Sequence, residues 1–566
     1  MTPVRELIAV AQGQADADLV LKNGRVVNTV TGTVEVADVA ISGDTIAAVG
    51  SFSRGRKTVD LQGAFLLPGL IDGHTHIESS MLHPARYAEA VVPRGTLTVV
   101  TDLHEIANVA GMAGIQFCME WAARIPLDMR FMAPSCVPAT PLETSGATIS
   151  QEEIQTLLAR PDVIGLGEMM NYPGVIAGLK DVLAKLDVAR GRPIDGHAPG
   201  LTGVGLDAYI AAGVMSDHEC TQYEEAVEKL SKGMYLMLRE GSSEKNLEAL
   251  LPAVTDATYT RCMMVVDDRS AADLDSEGDM DHVIRRAISL GMDPVRAVQL
   301  ATICPAHYFR LWDRGFIGPG KKADLITTPD LTELRIDRVY TSGLLVAEGG
   351  KALFSTPPTG TGLTGTVRTG EITADSLRLP DPGGEYPVIE LVPGQILTRR
   401  RQLMPTVRDG CIVSDTERDL LKLVVMERHH ASGATGKGLV RGFGLSRGAL
   451  ATSIAHDSHN LVAVGVDDTD IMGALRALVE MDGGLVVFAD GEVKARLPLP
   501  VAGLLSQEPL ATVLKEEQAV QSASRALGPL PTAPFALLSF LALPVIPELR
   551  VTDKGVVDVA QFKIIA

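Results

Sequence analysis

Leu66-Leu67-Pro68-Gly69-Leu70-Ile71-Asp72-Gly73-His74-Thr75-His76 is the stretch that decides the fold: an apolar run that ends in two histidines separated by one residue. In a β-strand the side chains of residues i and i+2 point to the same face, so His74 and His76 project together. Two imidazoles side by side at a strand end form half of a divalent-metal site. The alternative is a pair of ordinary polar residues where a strand meets a loop, and further ligands downstream decide between the two.

Composition describes an ordinary globular protein and excludes several classes of partner. The chain has 566 residues, with 51 basic and 70 acidic side chains and a net charge of −19. This charge argues against nucleic acid and against an anionic membrane surface. The amino-terminal residues 1–14 lack the apolar core of a signal peptide, and the most apolar window, 535–546, is too short to span a bilayer. Six cysteines without a CxxC pair suit a reducing compartment, so we expect a soluble cytoplasmic protein.

Short β-strands are predicted at both flanks of the first 355 residues. Residues 18–60 contain β-branched runs broken by Asn-Gly and Gly-Asp turns, and a similar stretch returns over residues 323–351. We predict one small β-sandwich domain built from residues 1–65 and 317–355, with the intervening segment inserted into it.

The inserted segment, residues 66–316, alternates strand-like and helix-like pieces. Eight candidate strands are predicted, ending near His76, Asp102, Pro134, Glu168, His197, His218, Arg239 and Asp267. Helices are predicted between them, among others over 108–123, 151–159, 175–189 and 243–253. Because the strand ends recur about every thirty residues, the length of a βα unit, the fold class is α/β, a (β/α)8 TIM-like barrel. The active site of such a barrel lies at the carboxyl ends of its strands.

The rest of the chain is predicted as a linker, residues 356–384, and a C-terminal α+β domain, residues 385–566, with a helix over 468–481. Within that domain His456-Asp457-Ser458-His459 lies at a turn between two apolar strands. One interpretation is a tight turn held by Asp and Ser hydrogen bonds. The other is a lid that packs over the barrel mouth and excludes water.

Four more polar residues at predicted strand ends accompany His74 and His76: Glu168, His197, His218 and Asp267. Each of them alone fits an ordinary buried polar residue with a satisfied hydrogen bond. Together they place four histidines and two carboxylates at the mouth of one barrel. The sequence therefore predicts a metal centre.

Several stretches carry a resemblance to a known family. The broader match rests on Pro68 to His76, the histidines of strands 5 and 6, Asp267, and Ile317 to Leu325. The narrower match rests on His74 to Met81, Asp102 to Val109, Gly167 to Val175, Asp195 to Gly200, and the C-terminal stretches Arg441 to Gly444 and His456 to Asn460. In these stretches the chain resembles the amidohydrolase superfamily and, within it, the adenine deaminases. Leu103 departs from the proline expected there and leaves the neighbouring His104 and Glu105 in place.

The resemblance implies a binuclear metal centre. Glu168 stands where many amidohydrolases have a carboxylated lysine, and it would bridge the two ions. The implied ligands are His74, His76, Glu168 and Asp267 for one ion, and Glu168, His197 and His218 for the other. Such nitrogen and oxygen ligands fit manganese, iron, zinc or nickel. The resemblance favours manganese or iron.

The implied reaction is hydrolysis of adenine to hypoxanthine and ammonia by a metal-activated hydroxide. The residues implied as catalytic are Asp267, which would carry the proton, together with Glu168 and His218. The residues expected to read the purine are Glu78, Ser79, His104, Glu105, Asp268 and His459. A homo-oligomer, a dimer or larger, is expected for a barrel enzyme of this size.

Three alternatives compete with this interpretation, and the second of them fails on the sequence. One is another hydrolase of the same superfamily, a cyclic amidase or a different deaminase. A second is the zinc deaminase fold, whose H-x-E motif is imitated by His76-Ile77-Glu78, but the chain has no P-C-x-x-C. A third is an inactive barrel that serves as an interaction scaffold, which would be expected to have lost ligands.

Overall fold

The computed structural model describes residues 2–357, 362–393, 395 and 397–566. The N-terminal flank forms one helix and five strands: α1 (Val4–Ala11), β1 (Ala17–Asn28), β2 (Thr33–Ser42), β3 (Thr45–Gly50), β4 (Gly55–Asp60) and β5 (Phe65–Pro68).

The central segment contains eight parallel strands with helices between them. Its strands are β6 (Leu70–Thr75), β7 (Thr96–Asp102), β8 (Asp128–Ala133), β9 (Val163–Met169), β10 (Ile194–Gly196), β11 (Ser216–Asp217), β12 (Tyr235–Arg239) and β13 (Cys262–Val265). Its helices are α2 (Pro84–Val91), α3 (His104–Ala122), α4 (Gln151–Leu158), α5 (Tyr172–Ile176), α6 (Lys180–Val188), α7 (Gly203–Ala211), α8 (Tyr223–Ser231), α9 (Leu247–Leu250), α10 (Ala271–Ser276), α11 (Met280–Ser289), α12 (Pro294–Leu300) and α13 (Ile303–Tyr308). Short 3-10 helices lie at Ile77–Ser80, Val92–Arg94, Leu251–Ala253 and Tyr259–Arg261.

The eight strands pair as a five-stranded parallel sheet, β6 to β10 in order, and a three-stranded parallel sheet, β11 to β13. Backbone hydrogen bonds lie at both places where the two sheets meet. The Met215 N–H donates to Ile194 O (2.9 Å) between β10 and β11, and the Asp267 N–H donates to His74 O (2.9 Å) between β13 and β6. These contacts bring the two parallel sheets together at both of their ends, and closure into one barrel stays a prediction.

Three predicted helices differ from those observed. The helix predicted over 108–123 already begins at His104, so the polar residues that follow β7 belong to its first turn. The helix predicted over 175–189 is two helices, α5 and α6, because Gly178 between them has a left-handed φ of +70°. The helix predicted over 243–253 is shorter, consisting of α9 and the 3-10 turn Leu251–Ala253.

The chain after the central segment returns to the first sheet through β14 (Leu325–Thr328), β15 (Arg338–Thr341), β16 (Leu344–Glu348) and β17 (Lys351–Ala352). Strand β14 pairs with β5, with Leu67 opposite Ile326, so the two flanks share one sheet. Its order is β17-β16-β15-β14-β5-β1-β2-β3, with β4 beside β1. This pairing forms one nine-stranded sheet, and its division into the two layers of a sandwich stays a prediction.

The C-terminal segment is built around an eight-stranded sheet with the order β19-β18-β23-β22-β25-β24-β26-β27. Its strands are β18 (Tyr386–Leu391), β19 (Thr398–Leu403), β20 (Thr406–Arg408), β21 (Cys411–Val413), β22 (Leu420–Met426), β23 (Thr435–Arg441), β24 (Ala449–Thr452), β25 (Leu461–Gly465), β26 (Gly484–Ala489), β27 (Glu492–Pro498), β28 (Leu549–Thr552), β29 (Gly555–Asp558) and β30 (Lys563–Ile564). Its helices are α14 (Asp468–Glu480), α15 (Leu510–Arg525) and α16 (Pro534–Phe540). The predicted helix over 468–481 thus ends one residue earlier, at Glu480.

The described part of the predicted linker is not a free spacer. Val367, Ile372 and Leu377 are buried in one apolar cluster with α14, and a 3-10 turn forms at Asp375–Leu377. The Arg368 N–H donates to Arg428 O (2.7 Å). These apolar side chains interrupt the Pro-, Gly- and Thr-rich pattern and anchor the segment to the C-terminal sheet. Residues 358–361 of the predicted linker lie outside the described residues.

Over the part of the chain that the structure describes, no helix combines the length and the apolar character needed to cross a bilayer.

Candidate active site

All six predicted metal ligands come together at the carboxyl ends of the central strands. His74 lies in β6, Glu168 lies in β9, and His76, His197, His218 and Asp267 follow β6, β10, β11 and β13. Five of the six are buried, and the side chain of His197 is 28% exposed. The strand order thus brings together residues that lie up to about 190 positions apart in the sequence.

The carboxylate of Glu168 lies between two groups of histidines. Its Oε1 is 3.1 Å from His76 Nε2. Its Oε2 is 2.6 Å from His197 Nδ1 and 3.3 Å from His218 Nε2. Burial alone would raise the pKa of Glu168, but the charge of His197 and the hydrogen bonds from the histidines hold it well below its ordinary value. An ionised carboxylate with one oxygen facing each group has the form of a bridge between two cations.

The backbone around Glu168 explains why glycine precedes it. The Glu168 N–H donates to Asp102 Oδ2 (3.0 Å) from the neighbouring strand end. A Cβ at Gly167 would lie 2.0 Å from the same oxygen, so only glycine leaves room for it. The carbonyl of Asp102 accepts a hydrogen bond from His76 Nδ1 (3.0 Å), which leaves His76 Nε2 facing Glu168. Asp102 therefore orients two ligands.

Asp267 lies on the other side of the same cluster. Its Oδ1 is 3.3 Å from His76 Nε2 and 3.5 Å from His74 Nε2, and its Oδ2 accepts from Arg239 Nη1 at 2.6 Å. Burial would raise the pKa of Asp267, but the Arg239 guanidinium and the two histidines hold it well below its ordinary value. Arg239 also binds Glu219 Oε1 (2.5 Å).

Sequence reasoning assigned no role to Arg239, Glu219 or Asp102. Two signals in the sequence point to them. Arg239 and Asp102 each end one of the eight predicted strands, and Glu219 follows the ligand His218 directly. Their positions thus marked them as residues of the barrel mouth.

The donor atoms fit divalent cations. Among the groups of described residues whose donor atoms lie within 4.8 Å of one another, three consist only of predicted ligands: His74, His76 and Glu168; His74, His218 and Asp267; and Glu168, His197 and His218. The buried Nε2 of His74 makes no hydrogen bond within the described residues, which is what a ligand position requires. Imidazole and carboxylate donors suit manganese, iron or zinc.

A cavity of about 200 Å³ adjoins the cluster. Glu78, Ser79, Glu105 and Asp268 line it from the central segment, residues 66–316, and Ser79 Oγ donates to Asp268 Oδ1. Its apolar wall comes from the C-terminal segment and consists of Ile454, Leu485, Leu504, Phe535 and Phe540. A larger groove of about 940 Å³ is lined by none of the residues predicted to contact the metal or the substrate. The smaller cavity is the candidate substrate pocket because five of the six residues predicted to contact the substrate line it: Glu78, Ser79, Glu105, Asp268 and His459.

Burial sets the protonation of two acids in this pocket. Burial raises the pKa of Glu78 to about 7, although its Oε1 accepts from the Ile106 N–H (3.2 Å). Burial, together with the charge of Asp267, also raises the pKa of Asp268. The pocket thus contains one carboxyl group, that of Glu78, able to carry a proton near neutral pH, beside a metal cluster whose carboxylates have lowered pKa values.

Two residues predicted to contact the substrate, His104 and His459, do not present a free polar atom to the cavity in the way that prediction requires. His104 is not among the residues that line the cavity. Its ring lies 4.7 Å from the ring of His76, and its Nε2 is 3.4 Å from Glu105 Oε1. His459 lines the cavity, but both of its ring nitrogens already have protein partners. Its Nδ1 accepts from the Ala455 N–H (3.2 Å), and its Nε2 bonds to Glu105 Oε2.

The turn that contains His459 is part of the pocket wall. His456 also lines the cavity, where its Nδ1 is 2.7 Å from Glu105 Oε1 and its ring stacks on Phe540 at 5.0 Å. The turn therefore contacts the barrel through two histidines and one carboxylate. Sequence reasoning noted the histidines but missed their partner, because nothing local in the sequence specifies how two domains dock.

Comparison with known proteins gives full-length relatives. A family model described as the adenine deaminase C-terminal domain matches residues 395–563, and one described as the amidohydrolase family matches residues 65–346. An adenine deaminase of Dehalococcoides mccartyi is 53% identical over 100% of this chain and 99% of its own. Adenine deaminase 2 of Carboxydothermus hydrogenoformans is 49% identical with the same coverage. The crystal structure of N-isopropylammelide isopropylaminohydrolase from Burkholderia multivorans aligns with 60% of this chain and 100% of its own, with 19% identity and a TM-score of 0.45.

Proposed function

The chain belongs to the amidohydrolase family and, within it, to the adenine deaminases, and from this premise we propose that it hydrolyses adenine to hypoxanthine and ammonia at the strand-end cluster, with two divalent cations as cofactors. The observation that carries this assignment is Glu168. Its two carboxylate oxygens face separate histidine groups, His76 on one side and His197 with His218 on the other.

The proposed ligand sets follow from this arrangement. One ion would be held by His74, His76, Glu168 and Asp267, and the other by Glu168, His197 and His218. We propose manganese or iron, and zinc also fits the donors. When bound, such ions lower the pKa of water and make it a nucleophile near neutral pH.

Side chains of the protein would accept and donate the protons of the reaction. Asp267 lies at the cluster with its pKa held below its ordinary value, so it would be ionised, and its Oδ1 beside the histidines would take the proton of the attacking water. Arg239 fixes its Oδ2 and leaves Oδ1 directed at the histidines. Glu78, with a pKa of about 7, would donate a proton to the purine ring or to the departing ammonia. His218 would hold the second ion and orient Glu168.

Recognition of the base would come from the barrel side of the pocket. Adenine offers ring nitrogens that accept hydrogen bonds and an amine that donates them. Ser79 and Asp268 are already joined by a hydrogen bond, and Glu105 lines the same cavity. We assign these residues and Glu78 to the polar edges of the base, and the apolar side chains of the C-terminal segment to its faces. His104 would support this set from behind, between His76 and Glu105.

The architecture proposed for this function is one closed (β/α)8 barrel over residues 66–316, set into a domain formed by 1–65 and 317–355. The hydrogen bonds at both junctions of the two parallel sheets support closure. A C-terminal α+β domain over 385–566 completes the molecule. The homo-oligomeric state and the cytoplasmic location stay predictions.

An ammonia-release assay across purines, pyrimidines and cyclic amides, combined with metal analysis, tests the function. We expect turnover of adenine, with loss of activity on chelation and recovery with manganese or iron. Hydrolysis of a cyclic amide in preference to adenine would transfer the assignment to a cyclic amidase. Metal-loaded protein inactive on every substrate would support the scaffold alternative.

A further inference from the structure

The C-terminal segment supplies two histidines to a carboxylate of the barrel. We propose that His456 and His459 are positioning residues that hold the Glu105 carboxylate in the substrate pocket, so that turnover of adenine depends on docking of the C-terminal domain. This inference rests on the proposed function, because it concerns the same pocket.

The geometry is a clamp on both oxygens of one side chain. His456 Nδ1 lies 2.7 Å from Glu105 Oε1, and His459 Nε2 bonds to Glu105 Oε2. Glu105 and His459 are buried, and the side chain of His456 is 16% exposed. The histidines follow β24 in the C-terminal sheet, whereas Glu105 lies in the first turn of α3 in the barrel. The clamp therefore joins two domains at the cavity.

The protein fixes which nitrogen of His459 carries the proton. Its Nδ1 accepts from the Ala455 N–H (3.2 Å), so Nε2 carries the hydrogen and donates it to Glu105. Burial lowers the pKa of His459 to about 4, so this ring is neutral near pH 7. The Glu105 charge outweighs burial at His456 and raises its pKa to about 9, so this ring is a cation. Glu105 thus receives one neutral and one charged donor.

A carboxylate held in this way keeps capacity for a ligand. Each carboxylate oxygen has two lone-pair sites, and the clamp uses one of them on each oxygen. His104 Nε2 also approaches Oε1, at 3.4 Å, and Glu105 lines the cavity, so the second site on Oε2 is the one left for an N–H group of a bound purine. Both ring nitrogens of His459 are engaged by protein groups, so its effect on the substrate passes through Glu105.

Histidine substitutions measured for kcat and KM with adenine test the proposal. We expect His459→Ala and His456→Ala each to lower kcat/KM by about 10- to 100-fold, as loss of a supporting hydrogen bond typically does. Metal content should stay at the wild-type value, because neither histidine is a proposed ligand. His459→Gln keeps an amide donor and should recover most of the loss, which a role in packing alone would not predict. Unchanged kcat/KM in both alanine variants would overturn the proposal.

A double-mutant cycle separates positioning of Glu105 from general damage. In the Glu105→Gln background, His459→Ala should cost less than about 3-fold, because the group it positions is already altered. An equal loss in both backgrounds would overturn the proposal. His430→Ala is the matched control, since His430 also joins the C-terminal segment to the barrel, at Ser145 O (3.1 Å), without contacting Glu105. Wild-type protein that releases no ammonia from adenine would instead overturn the proposed function.

Discussion

The metal cluster and the substrate pocket are built in opposite ways. The six proposed ligands all come from strand ends of one segment, residues 66–316, so a single parallel topology places every one of them. The pocket has two halves, with acids from the barrel and a wall of apolar side chains and two histidines from the C-terminal segment. Metal binding is therefore expected to be intrinsic to the barrel, whereas recognition of the base is expected to need both domains.

Removing the bridge should give the largest effect. In Glu168→Gln the side chain keeps its size but loses the charge that faces His76 on one side and His197 with His218 on the other. We expect lower metal occupancy and no measurable turnover. Asp128→Asn is the control, because Asp128 begins β8 at the opposite end of the strands and pairs with Arg314 (2.8 Å). It should retain its metal. A Glu168→Gln protein that binds two metal ions and deaminates adenine at the wild-type rate would show that Glu168 is not the bridging ligand.

The adjacent acids Asp267 and Asp268 allow the metal cluster and the substrate pocket to be tested at neighbouring positions. Asp267 faces the metal histidines, and Asp268 faces Ser79 in the pocket. Asp267→Asn should lower kcat by about 100- to 10,000-fold, the range for loss of a general base, and Asp268→Asn should cost far less in kcat. Steady-state kinetics with adenine give both values. The reverse order would exchange the two roles.

Arg239 tests whether Asp267 needs an orienting partner. Arg239→Gln removes the charge beside Asp267 Oδ2 and leaves Glu219 without its arginine partner. We expect kcat/KM to fall by about 10- to 100-fold, and Arg239→Lys, which keeps the charge, to fall less. Equal losses in both variants would show that the forked geometry of the guanidinium matters more than its charge.

The last prediction concerns the stability of the C-terminal segment and not the rate of the reaction. Burial lowers the pKa of His429 to about 3, and its Nε2 donates to Ser458 O (2.8 Å) within the pocket turn. Below about pH 6.5 the unfolded chain takes up a proton that the folded chain excludes, so the free energy of unfolding falls toward pH 3, by up to about 1.4 kcal/mol per pH unit. Above pH 6.5 both states are neutral and this contribution is constant.

Denaturant unfolding between pH 4.5 and 7.5 measures this dependence. His429→Gln should show a shallower decline at low pH than the wild type, with unchanged metal content at pH 7.5. Identical slopes in the two proteins would show that His429 is not the group that titrates.

The contrast between the metal cluster and the substrate pocket also explains which parts of the site could be predicted from the sequence. His74, His76, Glu168, His197, His218 and Asp267 could be predicted because the carboxyl ends of parallel strands meet whatever the details of the helices. The exact ends of the helices were harder to predict from the sequence. Gly178, for example, divides a helix that periodicity alone predicts as continuous. The contact of His456 and His459 with Glu105 depends on domain docking across about 350 residues, and no local pattern encodes it. The segment predicted as a linker folds onto the C-terminal sheet because Val367, Ile372 and Leu377 find apolar partners there.

The central claim is that Glu168 joins two cations in one catalytic centre, and stoichiometric reconstitution tests it most directly. Metal-free protein is titrated with Mn²⁺ while ammonia release from adenine and bound metal are measured together. We predict that activity rises until two equivalents are bound, and that Glu168→Gln binds fewer and stays inactive. Full activity at one bound equivalent, with no further gain from a second, would contradict the account.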